Sequence, residues 1–298
     1  MKRTTTKNSR IRRARVAVVS AATLIMLVTV SGPAQAIALS VPLGTANSFV
    51  VLAGTGGITN TGPTTLNGDI GNFPDPSSPA PGYGGALTIN GVDHQGDGVT
   101  QSAKTDLTAA YLNAAAQVDD FAIVADLGGQ TLTPGVYDAD ATMNLSGPVA
   151  LTLDANGDPN AVWVFQADAD LIVGSGASVS LVDGAQACNV FWQVTSSASI
   201  GTDADFVGTI LALTSITIDT NATILGRALA RNGTVTMDSN TITRAACASA
   251  PTGGVETGDG SSQTAGGIDA RVLPATLLLA GVGVTTVMVI RRRRHEGA

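Results

Sequence analysis

Apolar and polar residues alternate along the second half of the chain, and the alternation repeats about every 18 residues. Segments 189–207, 208–225 and 226–243 align with one another, and 162–182 aligns with them after a small insertion. Each segment holds an apolar strand, an alternating strand, a short polar turn and a β-branched pair. A period this short, built only from strand-like pieces, is typical of a solenoid whose coils stack as parallel strands. We therefore expect a mainly β protein with a flat, periodic surface rather than a cleft.

Within each repeat, the alternation predicts which side chains face solvent. Ser199, Thr217 and Thr236 should point outward between inward apolar neighbours, because the side-chain period of a strand is two. Small hydroxyl residues also recur in the turns that follow, and coils stack about 4.7–4.9 Å apart, so these residues form columns on one face. Such residues suit exposed turns without any function, so the columns carry the prediction rather than any single threonine. The candidate face consists of Thr61, Thr64, Ser175, Ser178, Thr202, Asp205, Thr220, Thr223, Ser239 and Thr241.

Residues 97–120 change to a helical period. Asp97 can serve as the N-cap of a helix there, and alanine, which is frequent in this segment, is the best helix former. Apolar or small residues recur at helical spacing at Val99, Ala103, Leu107, Ala110, Tyr111, Ala114 and Val118. This stripe predicts one long helix over about 97–120 that packs against one side of the solenoid. Residues 49–72 predict a further coil before it, and residues 130–154 return to strands after it.

The N-terminal end of the chain predicts export. Seven Lys and Arg residues among residues 1–15 precede the apolar run Val16–Val30 and the small-residue site Ala34–Ala36. This order of basic, apolar and small residues is typical of a secretory signal peptide. We therefore expect a signal peptide over residues 1–36 and an exported domain over residues 37–247.

The C-terminal end predicts a membrane anchor. A Gly/Ser/Thr-rich linker over residues 248–270 precedes the predicted transmembrane anchor at 271–290, in which Val272–Ile290 carry no charge, and the basic tail 291–298 follows. Roughly 20 apolar residues can span a bilayer, and flanking arginines mark the cytoplasmic side. The alternative is a cell-wall sorting signal, since LPAT at Leu273–Thr276 precedes the apolar run; Leu277 stands where such signals have glycine. We expect a membrane-anchored protein with a monomeric extracellular domain.

The charge of the exported part excludes several partners. Without the signal peptide and the residues from Arg271 onward, Lys104, Arg227, Arg231 and Arg244 face 22 acidic residues, a net charge of about −18. A surface this acidic repels nucleic acids and anionic lipids. We therefore expect no nucleic-acid partner.

Two cysteines predict a single disulfide. Cys188 precedes the 189–207 coil, and Cys247 follows the last coil. An oxidising compartment and an even cysteine count favour a bond between them, the alternative being two free thiols. The bond would tie the final coil back to the body of the domain.

Candidate catalytic residues are few. The acidic pairs Asp138/Asp140 and Asp168/Asp170 lie at strand spacing, and paired carboxylates can hydrolyse glycosidic bonds. Such residues are more often solvated. The exported domain has one histidine, His94, and its cysteines are assigned to a disulfide, so no zinc site is evident. We expect no enzyme activity, no cofactor and no metal.

The order of several long motifs resembles a known family, the secreted microbial ice-binding proteins with a discontinuous β-solenoid and a flanking helix. The resemblance covers nearly all of residues 41–244. Its carriers are LGTANSFVVLAGTGGITNTGPTTLNGDIG, the alanine-rich helix, LTPGVY, WVFQ, NVFWQV, GTILALTSITI, GRALARNG and MDSNTIT. The resemblance implies a right-handed parallel β-helix of triangular cross-section with one long α-helix packed alongside.

The resemblance also implies a function. Members adsorb to ice through one flat face that often bears a T-(A/G)-x-(T/N) pattern. Residues Thr61–Thr64 fit this pattern, and Thr220–Thr223 fit its threonine ends but have Asn221 at the small position. We therefore expect a cell-surface protein whose partner is the ice crystal, and which inhibits ice growth and recrystallisation or attaches the cell to ice. The alternative is a surface adhesin or structural solenoid that binds polysaccharide or a protein partner.

Overall fold

The computed structural model describes residues 38–74, 86–123 and 126–248. These residues form one α-helix, α1 (Gly98–Ala115), two short 3-10 helices (Gly44–Ser48 and Ala187–Asn189) and twenty strands. The strands are β1 (Phe49–Ala53), β2 (Ile58–Asn60), β3 (Thr64–Asn67), β4 (Asp69–Asn72), β5 (Leu87–Ile89), β6 (Phe121–Ala122), β7 (Thr131–Leu132), β8 (Gly135–Ala139), β9 (Met143–Leu145), β10 (Leu151–Asp154), β11 (Trp163–Ala167), β12 (Leu171–Val173), β13 (Val179–Val182), β14 (Val190–Val194), β15 (Ala198–Ile200), β16 (Asp205–Ala212), β17 (Ile216–Ile218), β18 (Thr223–Ala230), β19 (Val235–Met237) and β20 (Thr241–Thr243).

The predicted signal peptide, linker, anchor and basic tail lie outside the described residues, except for the first linker residue, Ala248. Among the described residues, no helix is both long and apolar enough to cross a membrane.

The strands stack in parallel into three sheets, which confirms the predicted solenoid. One sheet has the order β2-β19-β17-β15-β12-β9, and a second has the order β13-β10-β7. The third is the long sheet β5-β3-β20-β18-β16-β14-β11-β8-β6, which β1 and β4 join through β18. Strands β16 and β18 have eight residues each and run parallel to one another over their whole length. These two strands pass from one side of the solenoid to the next, so the long sheet supplies parts of two sides.

The first coil of the chain stacks on the last one. Strand β2 pairs with β19, with Ile58 beside Val235, and β3 pairs with β20, with Thr65 beside Thr241. The coils therefore follow one another in space in a different order from that in the sequence, and the solenoid is discontinuous. This pairing joins segments about 180 residues apart and closes the two ends of the domain on each other.

Aromatic residues form a continuous stack inside the solenoid. Phe121, Tyr137, Phe165, Trp192 and Phe206 come from successive coils, and the rings of neighbouring members lie 3.9–5.5 Å apart between centroids. Strand register places Tyr137 beside Phe165, and Phe165 beside Trp192. Aromatic pairs at such distances contribute about 0.5–1.5 kcal/mol beyond the area that they bury. The stack therefore helps to fix the register of the coils.

The helix starts where the sequence predicts and ends earlier. The Asp97 carboxylate accepts hydrogen bonds from the backbone N–H groups of Val99 and Thr100, both at 2.9 Å, and caps the helix. The helix ends at Ala115 instead of near residue 120. Val118, which the helical spacing placed on the packing face, is 70% exposed. After the helix, the Gln117 side chain donates to the Leu39 carbonyl and accepts from the Leu39 backbone N–H, both at 2.8 Å.

Helix α1 covers one side of the solenoid. Its buried face consists of Thr100, Ala103, Leu107, Ala110, Tyr111 and Ala114. These residues pack on the outward side chains of the long sheet, among them Val164, Phe191 and Leu211. Gln166 donates hydrogen bonds to the Ala114 and Gln117 carbonyls, and Gln193 donates one to the Tyr111 hydroxyl, at 2.8–2.9 Å. Two sides of the solenoid remain uncovered by the helix.

The bend in the long sheet depends on two stacked glycines. Gly208 and Gly226 lie side by side in β16 and β18, with φ values of +115° and +159°. A Cβ atom on Gly226 would collide with the carbonyl oxygen of Gly208. Only glycine adopts such a conformation at low energetic cost. The two coils can therefore stack here only because both residues lack a side chain.

Gly226→Ala is expected to destabilise the domain by roughly 2 kcal/mol or more, because it adds both backbone strain and overpacking. The measurement is the urea midpoint. Gly98→Ala is the matched control, because nothing lies within 4 Å of a Cβ atom at that position. Equal midpoints for the two variants would contradict this account of the bend.

Candidate functional site

Three rows of residues, most of them small and polar, follow the coils on one uncovered side, and together they are called the hydroxyl face. The central row runs across paired strands and contains Thr88, Thr65, Thr241, Thr223, Asp205 and Ser178. The corner row lies in the preceding turns and contains Thr61, Asp238, Thr220, Thr202 and Ser175, with Asp238 of the last coil between Thr61 and Thr220. The third row contains Asn67, Thr243, Leu225 and Val207. Neighbouring members of the central and third rows are about 4.7–4.9 Å apart because they sit on paired strands.

The turns explain why two residues three positions apart point the same way. In the turn Thr220–Thr223, Asn221 has a φ of +61°, and Ala222 is completely buried. Asn tolerates this left-handed conformation because its short polar side chain can bond locally. With one residue in that conformation and the next turned inward, both Thr220 and Thr223 face outward. Asp203, with a φ of +58°, and buried Ala204 give the same result in the neighbouring coil.

Hydrogen bonds between coils hold two hydroxyl groups in place. The Thr223 hydroxyl donates to the Asp205 carboxylate at 2.7 Å, and the Thr220 hydroxyl donates to the Asp238 carboxylate at 2.6 Å. A β-branched side chain is stiff at χ1, and such a bond selects one rotamer. The face is therefore an ordered array of methyl and hydroxyl groups, with carboxylates at some positions.

The structure brings together eight of the ten residues predicted from sequence. Thr61, Ser175, Ser178, Thr202, Asp205, Thr220, Thr223 and Thr241 are all exposed or half-buried on the hydroxyl face.

Thr64 and Ser239 have other places in the structure. Thr64 is 1% exposed, donates to Asn60 at 2.7 Å and accepts from the backbone N–H of Asn240 at 3.0 Å. Its place in the central row is taken by Thr65. Ser239 has a φ of +58° and matches Asn221, because its turn is one residue shorter than the next.

Three threonines of the hydroxyl face were not predicted from the sequence. Thr65 and Thr88 belong to the central row, and Thr243 belongs to the third row. Thr65 could have been predicted from the alternation in β3, because Leu66 is buried and its neighbour Thr65 must then point outward. Thr88 could not be found this way, because its strand stands alone in a Pro/Gly-rich segment.

The other uncovered side is narrower. Its strands β2, β19, β17, β15, β12 and β9 have three residues each, and only the middle one points outward. These middle residues are Thr59, Thr236, Thr217, Ser199, Ile172 and Asn144. Thr217 therefore stands on an exposed strand next to the hydroxyl face but on a different side of the solenoid.

Comparison with known proteins identifies the family. Residues 51–243 match the model of a family described as Ice-binding-like. The chain belongs to this family of ice-binding-like proteins. An ice-binding protein of Nostoc sp. (strain HG1) is 44% identical over 205 residues, which cover 68% of this chain and 74% of the relative. An ice-binding protein of Flavobacterium frigoris (strain PS1) is 35% identical over 220 residues, which cover 68% and 76% of the two chains.

Solved structures confirm the fold that the resemblance implies for this ice-binding-like chain. The crystal structure of an ice binding protein from an Antarctic biological consortium is 44% identical and superposes with a TM-score of 0.63, covering 70% of this chain and 92% of the other. An ice-binding protein from Antarctomyces psychrotrophicus is 36% identical and also has a TM-score of 0.63, covering 70% and 100%. The part of this chain that matches is therefore the solenoid.

The acidic pairs have structural surroundings in this ice-binding-like chain. Burial, together with the charges of Asp168 and Asp140, raises the pKa of Asp138. Asp170 accepts hydrogen bonds from Ser196 and from the backbone N–H of Ser197, and these lower its pKa. The two pKa values therefore shift in opposite directions, through burial and neighbouring carboxylates in Asp138 and through hydrogen-bond donors in Asp170. Asp140 lines a cavity of about 450 Å³ together with Asp126 and Asn144.

His94 lies at the start of the helix. Its ring contacts the Asp97 carboxylate at 3.0 Å and the Asp69 carboxylate at 3.8 Å, and it packs against Phe49. Within residues 38–74, 86–123 and 126–248, no group of three or more His, Cys, Asp or Glu side chains is arranged to hold a metal ion.

Proposed function

We propose that this protein adsorbs to ice through the hydroxyl face and thereby inhibits ice growth and recrystallisation. Membership of the ice-binding-like family and relatives named ice-binding proteins support the proposal. The observation that carries the choice of face is the central row. It places Thr88, Thr65, Thr241 and Thr223 side by side on four paired strands.

A row of threonines offers ice two kinds of contact. The methyl groups favour ordered water around them, and the hydroxyl groups anchor that water by hydrogen bonds. The spacing of about 4.7–4.9 Å between coils and about 6.6 Å between alternate residues is close to the spacing of oxygen rows in ice. Adsorbed protein forces the ice surface to grow with local curvature, which is unfavourable. No reaction is needed for this effect.

The proposal is tested by adding the purified protein to polycrystalline ice and to single ice crystals. Faceted crystals and halted coarsening are expected, and both should disappear after heat denaturation of the protein. Disc-shaped crystals and normal coarsening with folded protein would sink the proposal.

Asp205→Thr is expected to strengthen the adsorption. Asp205 places a carboxylate in the central row. Adsorption to ice would remove water from this charge, which costs free energy, whereas threonine would add a methyl group to the contact. A buried methyl group is worth about 0.8 kcal/mol, which is roughly fourfold in affinity. The concentration that half-inhibits recrystallisation should therefore fall by about fourfold.

Asp203→Asn is the matched control for Asp205→Thr. It removes the same charge two residues earlier, at a turn position outside the three rows. Asn tolerates the φ of +58° at this position. An equal gain from both variants would assign the effect to net charge and contradict the role of the row.

We also propose that the domain acts as an exported monomer held at the cell membrane. The basic, apolar and small-residue order at the N-terminus and the apolar run before Arg291–Arg294 support this location. The disulfide between Cys188 and Cys247 also fits an oxidising compartment. The full chain should sediment with membranes, and a chain that stops at residue 270 should be released as a monomer. A soluble cytoplasmic full-length protein would refute the tether.

A further inference from the structure

A cavity of about 330 Å³ lies where the first and last described segments meet. Ser40, Val41 and Asn47 line it from the N-terminal side, and Arg244 and the Cys188–Cys247 disulfide line it from the C-terminal side. Phe191 of β14 and Arg227 of β18 also contribute to its wall. The cavity is thus built by the two ends of the domain and is separate from the rows of the hydroxyl face.

Arg227 is a buried charge held by neutral groups. Its side chain is 2% exposed, and it donates to the Asn47 carbonyl and side-chain oxygens at 3.0 and 2.7 Å. It also donates to the Thr209 hydroxyl at 3.3 Å and the Ala245 carbonyl at 3.1 Å. These acceptors fix the guanidinium in one orientation but carry no negative charge.

A second arginine, Arg244, lines the same cavity and is exposed to solvent, so that only Arg227 is a buried charge. Neither Arg227 nor Arg244 forms an ion pair with a carboxylate in the described part of the chain. Burial and the nearby charge of Arg244 together lower the pKa of Arg227 to about 10. A buried charge costs free energy unless an opposite charge compensates it.

The concentration of positive charge here contrasts with the rest of the domain. The described residues include four Lys or Arg side chains, and two of these line this one cavity. The other two lie elsewhere: Lys104 of α1 donates to the Ala230 and Arg231 carbonyls, and Arg231 packs over the Tyr111 ring at 4.6 Å. Half of the Lys and Arg side chains in the described part of this acidic domain therefore line one cavity, and no Asp or Glu is among the residues that line it.

We propose that this cavity binds a small oxyanion, of the phosphate, sulfate or carboxylate class. Arg244 can hold such an ion with paired, charge-assisted hydrogen bonds. Arg227 adds one further N–H group, because its other four N–H groups already have acceptors. The Ser40 hydroxyl and the Asn47 amide add polar groups to the wall, and Val41 and Phe191 add apolar surface. The bound ion neutralises both arginines and joins the N-terminal segment to the C-terminal one. It thereby stabilises the closure of the solenoid.

The test is a titration of the purified protein with sodium phosphate, sulfate or acetate at constant ionic strength, with chloride as the compensating anion. We expect saturable heat in calorimetry and a matching rise in thermal midpoint, because a ligand that binds only the folded state stabilises it by mass action. Arg244→Gln should weaken phosphate binding by at least about tenfold. Arg231→Gln removes the same charge away from the cavity and should leave the binding unchanged.

Two results would overturn the proposal. One is the absence of saturable binding for all three ions to the unmodified protein. The other is an equal loss of binding in Arg244→Gln and Arg231→Gln, since that would show a response to net charge alone. Ice activity of the same samples is recorded separately, so that a failure of anion binding is distinguishable from a failure of ice adsorption.

Discussion

Thr223→Tyr is expected to weaken the inhibition of ice recrystallisation by at least about tenfold. Thr223 is exposed in the central row between Thr241 and Asp205. A tyrosine ring there would hold the neighbouring rows several ångströms from the ice surface. Dispersion and hydrophobic contacts are lost over such a gap, and a loss of about 1.4 kcal/mol already corresponds to tenfold in affinity.

Thr217→Tyr is the matched control for Thr223→Tyr. Thr217 is also an exposed threonine at an outward strand position, but it lies on the narrower side of the solenoid. Its replacement should leave ice activity within about twofold of that of the unmodified protein, since one exposed substitution away from the contact changes little. Circular dichroism and thermal midpoints check that both variants fold. A loss of activity in Thr217→Tyr with full activity in Thr223→Tyr would move the ice-binding site to the other side.

Removing the disulfide is expected to cause the largest loss of stability. Cys188 and Cys247 are bonded, as the sequence predicts, and 59 residues separate them. A loop of this length confines the unfolded chain enough to stabilise the fold by about 4 kcal/mol in the chain-entropy model. For a domain of this size, that corresponds to a fall of roughly 10 °C in the thermal midpoint.

The Cys188→Ser/Cys247→Ser double variant measures this contribution by urea and thermal unfolding. Reduction of the unmodified protein should lower its midpoint to that of the variant, and the variant should not respond to reductant. Near 0 °C the variant should keep its ice activity, because strand pairing sets the spacing of the hydroxyl face. A change in stability below about 1 kcal/mol would contradict the view that the bond closes the domain.

The repeat in the sequence predicted the parallel stacking of segments 162–243 because each coil repeats the same alternation. The pairing of the first coil with the last could not be predicted in the same way. Strand β2 has the same alternating pattern as the corresponding strands of the other coils, and nothing in its sequence specifies β19 as its neighbour. Such long-range pairing is decided by the packing of the whole domain, including the helix that covers one side.

The positions of single residues in the candidate site were also only partly predictable from the sequence. Most of the hydroxyl face followed from the period of two and from the aligned turns. Ser239 was displaced because its turn is one residue shorter than the others. The turn that contains Thr64 has the usual length, but the sequence alignment was one residue out of register, and Thr64 takes the buried position of Ala222. A shift of one residue exchanges the inward and outward faces of a strand. The anion cavity had no signal in the sequence, since Arg227 and Arg244 meet Ser40 and Asn47 only through folding.

The most direct test of the ice-binding claim is the partition of the protein into slowly growing ice. A labelled sample is placed around a cooled probe, and the concentrations in the ice fraction and in the remaining liquid are measured. The account predicts that the unmodified protein and Thr217→Tyr are enriched in the ice, while Thr223→Tyr stays in the liquid. Exclusion of the folded, unmodified protein from the ice would contradict it.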